Sequence, residues 1–231
     1  PYSSNTVLQA ELNRVAKISG SVGKLTHMLV PIPAAIGMAA NINNLVWSMS
    51  PMDLLIQNEE KLEALGYKKK LIRAFFNNKV FTPTWQTAIV AALVDLDDVK
   101  SREVLLDIAI SAETRIEGQF VVRSVLFAQL FHQSVEPLAE FMSVPEGLVP
   151  AAITASGDGL IIAPVDQFLW TREIETALTR LARLVEDHGA SDKYLMWVEG
   201  RVSDLALDQL SARGWVRSEA RFDKLESYGT K

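Results

Sequence analysis

The spacing of apolar side chains changes character once along the chain, near Gly147. Before that point the pattern is helical. Val7, Leu8, Leu12 and Val15 recur at helical intervals behind the cap formers Ser3, Ser4, Asn5 and Thr6. Ser50, Pro51 and Asp53 form a second helix start, with Leu54, Leu55, Leu62 and Leu65 as its apolar face and Gly66 as its stop. A short basic helix over residues 68–76 turns Leu71, Ile72, Phe75 and Phe76 inward. Thr82 and Pro83 repeat the cap-plus-proline signal ahead of residues 85–96, and Ser101 opens a helix reaching about residue 112. The longest helix is predicted over residues 113–133, where Phe120, Val121, Val125, Phe127, Leu130 and Phe131 cover more than one stripe and mark the centre of a compact array.

Beyond Pro145 the period shortens. Residues 149–155 and 160–165 are β-prone runs separated by Ser156, Gly157, Asp158 and Gly159, which predicts a hairpin. Thr171 caps a helix to residue 187 or 188, with Ile174, Leu178, Leu181 and Val185 on its inner side and Gly189 beyond its end. A strand over residues 194–198, a helix over 203–213 and a strand over 215–222 follow. The expected class is α+β, with an all-helical array over residues 1–145 and then a small α/β domain of order ββαβαβ over 146–231, ending in a polar tail. Limited proteolysis is expected to cut around residues 142–147.

Residues 25–52 carry no formal charge apart from His27. A membrane helix needs roughly 20 apolar residues, so the length qualifies. The details do not. Pro31 and Pro33 interrupt the segment, and Asn41, Asn43 and Asn44 would bring amides into hydrocarbon, so buried core helices are expected and no transmembrane span. Pro1 follows no methionine, basic n-region or apolar h-region, which fits a processed or trimmed chain. An N-terminal proline is a catalytic amine in tautomerases, where it leads a strand; here helix caps follow it instead.

With 231 residues, 48% hydrophobic and 22% charged, the chain can bury a sizeable core. Its formal net charge of -5 supplies no broad basic field, so nucleic acid is not an expected partner. The lack of cysteine excludes disulfides, thiolate metal sites and cysteine nucleophiles, and it suits a cytoplasmic protein and one exported after signal removal equally.

Site candidates concentrate in the α/β half. Glu199, Gly200 and Arg201 lie between a predicted strand and a helix capped by Ser203, where Arg201 and the helix-terminal amides could hold an anion; the plainer reading of Ser203 is a cap. Asp166 falls just past a strand, near Gln167 and Trp170, so that Asp166, Trp170 and Glu199 define a candidate cleft. Arg123 interrupts the apolar surface of the long helix and is read as snorkelling to a rim.

Other motifs fail on spacing. Gly20 lies too close to the Gly23-Lys24 pair for a phosphate loop, and Leu25 stands where a magnesium-binding hydroxyl belongs. Gly157-Asp158-Gly159 precedes a strand, where a dinucleotide site needs a helix. His27, His132 and His188 form no ligand pair, and Glu113 with Glu117 lacks the histidine partners of a dimetal bundle, so neither metal nor cofactor is expected. No Gly-x-Ser-x-Gly elbow or acyl-transfer triad is evident.

The layout has the general look of a bacterial protein, although no motif carries that look. The leading expectation is a soluble, non-catalytic binding or assembly protein with a protein or hydrophobic small-molecule partner, compatible with a homo-oligomer. One alternative is an enzyme with its site in the α/β unit or interdomain cleft. Another is an envelope-associated protein that binds lipid through the uncharged segment.

Overall fold

The computed structural model describes residues 49–144, 147, 149–188 and 193–219. The first predicted helix, nearly all of the uncharged segment and the glycine-lysine motif lie outside the described residues. Among the described residues, no helix is long and apolar enough to cross a membrane.

The helical part begins with α1 (Pro51–Ala64), where the Ser50 hydroxyl accepts a hydrogen bond from the Asp53 amide at 3.2 Å and proline occupies the first turn. Gly66, at φ +84°, makes the left-handed turn after it. α2 (Lys69–Asn77) buries Ile72 and Phe75, and α3 (Pro83–Asp95) is capped by Thr82. α4 (Glu103–Ser111) starts two residues later than the sequence suggests. Ser101 adopts φ +55° and its hydroxyl donates to Glu140 at 2.8 Å, so it serves a tertiary contact and no helix cap. α5 (Arg115–Ser134) starts with a capping box in which Thr114 accepts from the Glu117 amide. The Glu117 carboxylate in turn accepts from the Glu113 and Thr114 amides at 2.7 and 2.9 Å, which accounts for this acid without a metal.

The chain then builds β1 (Leu138–Met142), β2 (Ala151–Thr154), β3 (Gly159–Ala163), β4 (Gln167–Phe168), α6 (Arg172–Asp187), β5 (Tyr194–Val198), β6 (Arg201–Val202), α7 (Asp204–Ser211) and β7 (Trp215–Glu219). Five strands form one sheet in the order β1-β2-β3-β5-β7. The β1-β2 and β2-β3 pairs are antiparallel, whereas β3-β5 and β5-β7 are parallel. β4 and β6 make a separate parallel pair just past β3 and β5. The class is α+β, as the periodicity implies. β1 is an addition. It lies on the helical side of the expected boundary and pairs with β2, although its sequence Leu-Ala-Glu-Phe-Met is rich in helix formers. Cross-strand partners override that local preference.

The sheet is a wall between two cores. Ala152, Leu160, Ile162 and Trp197 face the helical array and join its core with Leu93, Leu106, Phe127 and Phe131. The alternate residues Ala151, Ile153, Ala163, Tyr194, Met196 and Val198 face α6 and α7, where Leu178, Leu181, Val185 and Leu210 cover them. The period of two along each strand produces this division and keeps both faces dry.

Candidate functional site

Helix α5 and strand β5 meet in a register that brings together charges far apart in sequence. Phe127 and Phe131 lie against Trp197 with ring centroids 5.1 and 5.2 Å apart. Arg123 stands one helical turn before Phe127, and Glu199 stands two residues beyond Trp197, just past the end of β5. One turn of helix rises about 5.4 Å and two strand residues about 6.6 Å, so the next matched position joins Arg123 to Glu199. The Arg123 guanidinium donates to Glu199 Oε2 in a short hydrogen bond. Asp166 Oδ1 lies 3.9 Å from the same nitrogen.

Asp166 and Glu199 reach this point because β3 and β5 are parallel neighbours and both residues follow their C-terminal ends. Three backbone bonds tie the two loops together. The Gly200 amide donates to Val165 O at 2.8 Å, Arg201 to Asp166 O at 2.9 Å and Ser203 to Phe168 O at 3.0 Å. Arg217 of β7 adds a bond to Gly200 O at 3.1 Å. The loops approach so closely that a Cβ on Gly200 would lie 2.0 Å from Asp166 O, which leaves glycine alone at that position.

Burial separates the three charges. The side chains of Arg123 and Glu199 are 12% and 19% exposed, whereas Asp166 is 59% exposed. Desolvation pushes the Glu199 carboxyl above the usual range; Arg123 opposes the rise and Asp166 reinforces it. Arg123 is therefore covered rather than snorkelling. Its own partner is Glu199, and the solvent-facing part of the cluster is the Asp166 carboxylate.

The remaining candidates have partners of their own. The Arg213 guanidinium lies 4.8 Å from the Trp170 ring centroid and forms a salt bridge to Glu175 at 2.5 Å. The Ser203 hydroxyl accepts from the Ala206 amide at 3.3 Å and caps α7. Arg201 is exposed and joins the cluster through its backbone bond to Asp166. Sequence reasoning passed over Arg217, whose link to Gly200 depends on a pairing between β5 and β7 that one strand alone does not announce.

Among the described residues, no group of three histidines, cysteines or acids could hold a metal ion. The cluster contains no hydroxyl or thiol nucleophile. It can accept donors at the exposed Asp166 carboxylate, and Arg201, an exposed residue, is joined to Asp166 through its backbone amide. The chain matches no family model, no curated protein and no solved structure in the comparisons made.

Proposed function

We propose that this chain is a non-catalytic binding protein for a small zwitterion, with an amine received by Asp166 and a carboxylate received by Arg201. The observation that carries the reading is the exposed Asp166 carboxylate beside the covered Arg123–Glu199 pair, at the C-terminal ends of two parallel strands. Parallel sheets bind ligands at that edge because the loops there are free to vary above a rigid frame. Here the frame is rigid on both sides, since Gly200 is held by Val165 and Arg217. Arg123 is held at short range by Glu199 and only at 3.9 Å by Asp166, so the charges exposed toward a ligand are Asp166 and Arg201.

Free amino acids from glycine to lysine, added singly during thermal unfolding, provide the test. At least one should raise the midpoint, and both Asp166→Asn and Arg201→Ala should weaken that ligand about tenfold or more, the expected loss of one charge-assisted hydrogen bond. Equal binding by wild type and Asp166→Asn would remove the proposal.

The raised Glu199 carboxyl favours a second reading, an enzyme using Glu199 as an acid or base. In that case Glu199→Gln would abolish turnover of a bound ligand. The binding reading predicts that Glu199→Gln leaves affinity within about threefold, because a glutamine oxygen still accepts from Arg123.

A further inference from the structure

At the far end of α5, both ring nitrogens of His132 are engaged. The Leu138 amide donates to Nδ1 at 3.0 Å, and Nε2 lies 3.4 Å from Asp98 Oδ1. The imidazole is 12% exposed and Asp98 is 66% exposed. An amide can donate to Nδ1 only while that nitrogen keeps its lone pair. The bond therefore fixes the tautomer that carries its proton on Nε2, aimed at Asp98. A proton on Nδ1 would place two donors face to face. Protonation and the Leu138 bond exclude each other.

Leu138 opens β1, an edge strand of the five-stranded sheet. Its neighbours are held by other means. Pro137 O accepts from the Ala155 amide at 2.8 Å, and Lys100 pairs with the outer side of β1 through bonds with Ala139 and Phe141, each 3.0 Å. The β1-β2 register shifts between Leu138 and Glu140, so the first residue of the strand leans on His132 where the ladder is irregular.

The charged groups around the junction come from every neighbouring element. Asp98 faces Nε2 from the connection after α3. Asp95 is occupied by Gln129 and by Gln133, the latter at 3.3 Å. Glu136 accepts from the Ser156 amide at 2.9 Å, Glu140 accepts from Ser101 at 2.8 Å, and Lys100 contributes the cation. Asp98 is the acid placed to receive an imidazolium.

We propose that His132 is a proton-operated latch between α5 and β1. The neutral ring holds the Leu138 amide; the protonated ring releases it, pairs with Asp98 and loosens the start of the edge strand.

The test is amide hydrogen exchange at Leu138 in the full chain, corrected for intrinsic rate, on either side of the ring's protonation as followed by its own nitrogen shifts. Protection should fall about tenfold as the ring takes up its proton, the loss expected for one hydrogen bond. His132→Asn supplies the control, since its Oδ1 occupies the position of Nδ1 and accepts without titrating. Protection in that variant should not change with pH.

Imidazole nitrogen shifts of the wild type supply a readout independent of the variant's folding, and should show the Nε2–H tautomer at about pH 8. Constant protection across the wild-type ring titration, an Nδ1–H tautomer, or an equal loss in His132→Asn would each overturn the latch.

Discussion

Two arginine-carboxylate pairs, one joining α5 to the loop after β5 and one within the α/β unit, make a controlled contrast. Arg123–Glu199 is 12% and 19% exposed, whereas Arg213–Glu175 is 33% and 43% exposed. Both include a short contact, so geometry does not distinguish them. Burial does. Water screens the Arg213 pair, and the guanidinium is shared with Gln209 and the Trp170 ring. The Arg123 pair has given up most of its hydration, so each member depends on the other and loss of either leaves a charge without solvent. The Arg213 pair decorates a surface. The Arg123 pair sits at the α5–β5 contact, beside Asp166.

The largest effect should come from the backbone that supports the covered pair. Gly200→Ala pushes a methyl group against Asp166 O, and a cost of about 4 kcal/mol in chemical unfolding is expected. A cost below about 1 kcal/mol would mean that the loops are not locked together.

Arg123→Met comes next and should cost about 3 kcal/mol near pH 8. The sign of its pH dependence follows from Glu199. A carboxyl whose folded pKa is raised binds its proton more tightly in the folded state, so stability is lost as pH rises from the ordinary glutamate range through the raised value. Removing Arg123 takes away the opposing influence and widens that window. The deficit of Arg123→Met should therefore shrink on acidification, and a deficit that grows would contradict the assigned desolvation. Arg213→Met should cost under about 1 kcal/mol, largely lost in high salt. If the two arginine variants were equally destabilised, burial would not be what separates the pairs.

Much of the fold was legible because its signals are local. Ser50, Thr82, Thr171 and Ser203 each accept from an amide three residues on, and each stands where the sequence places a cap. The turn through Gly157, at φ +86°, is equally local. β1 was not legible, since its residues favour helix and only β2 and Lys100 make it a strand. The site was half legible. Asp166 and Glu199 follow from their places after strands, but Arg123 and Glu199 are 76 residues apart and meet only through helix-on-sheet register. Snorkelling is the sound expectation for an arginine on an apolar helix until its neighbours are known. Trp170 was placed with Asp166 by closeness in sequence; the charged partner that the structure gives it is Arg213.

The central claim, that the loops after β3 and β5 form one ligand edge, is tested most directly by an amide proton–nitrogen shift titration with the amino acid that most raises the unfolding midpoint. Saturable shifts confined to residues 165–168 and 199–203, absent in Asp166→Asn, are the predicted result. Shifts that cluster elsewhere, or persist unchanged in Asp166→Asn, would contradict it.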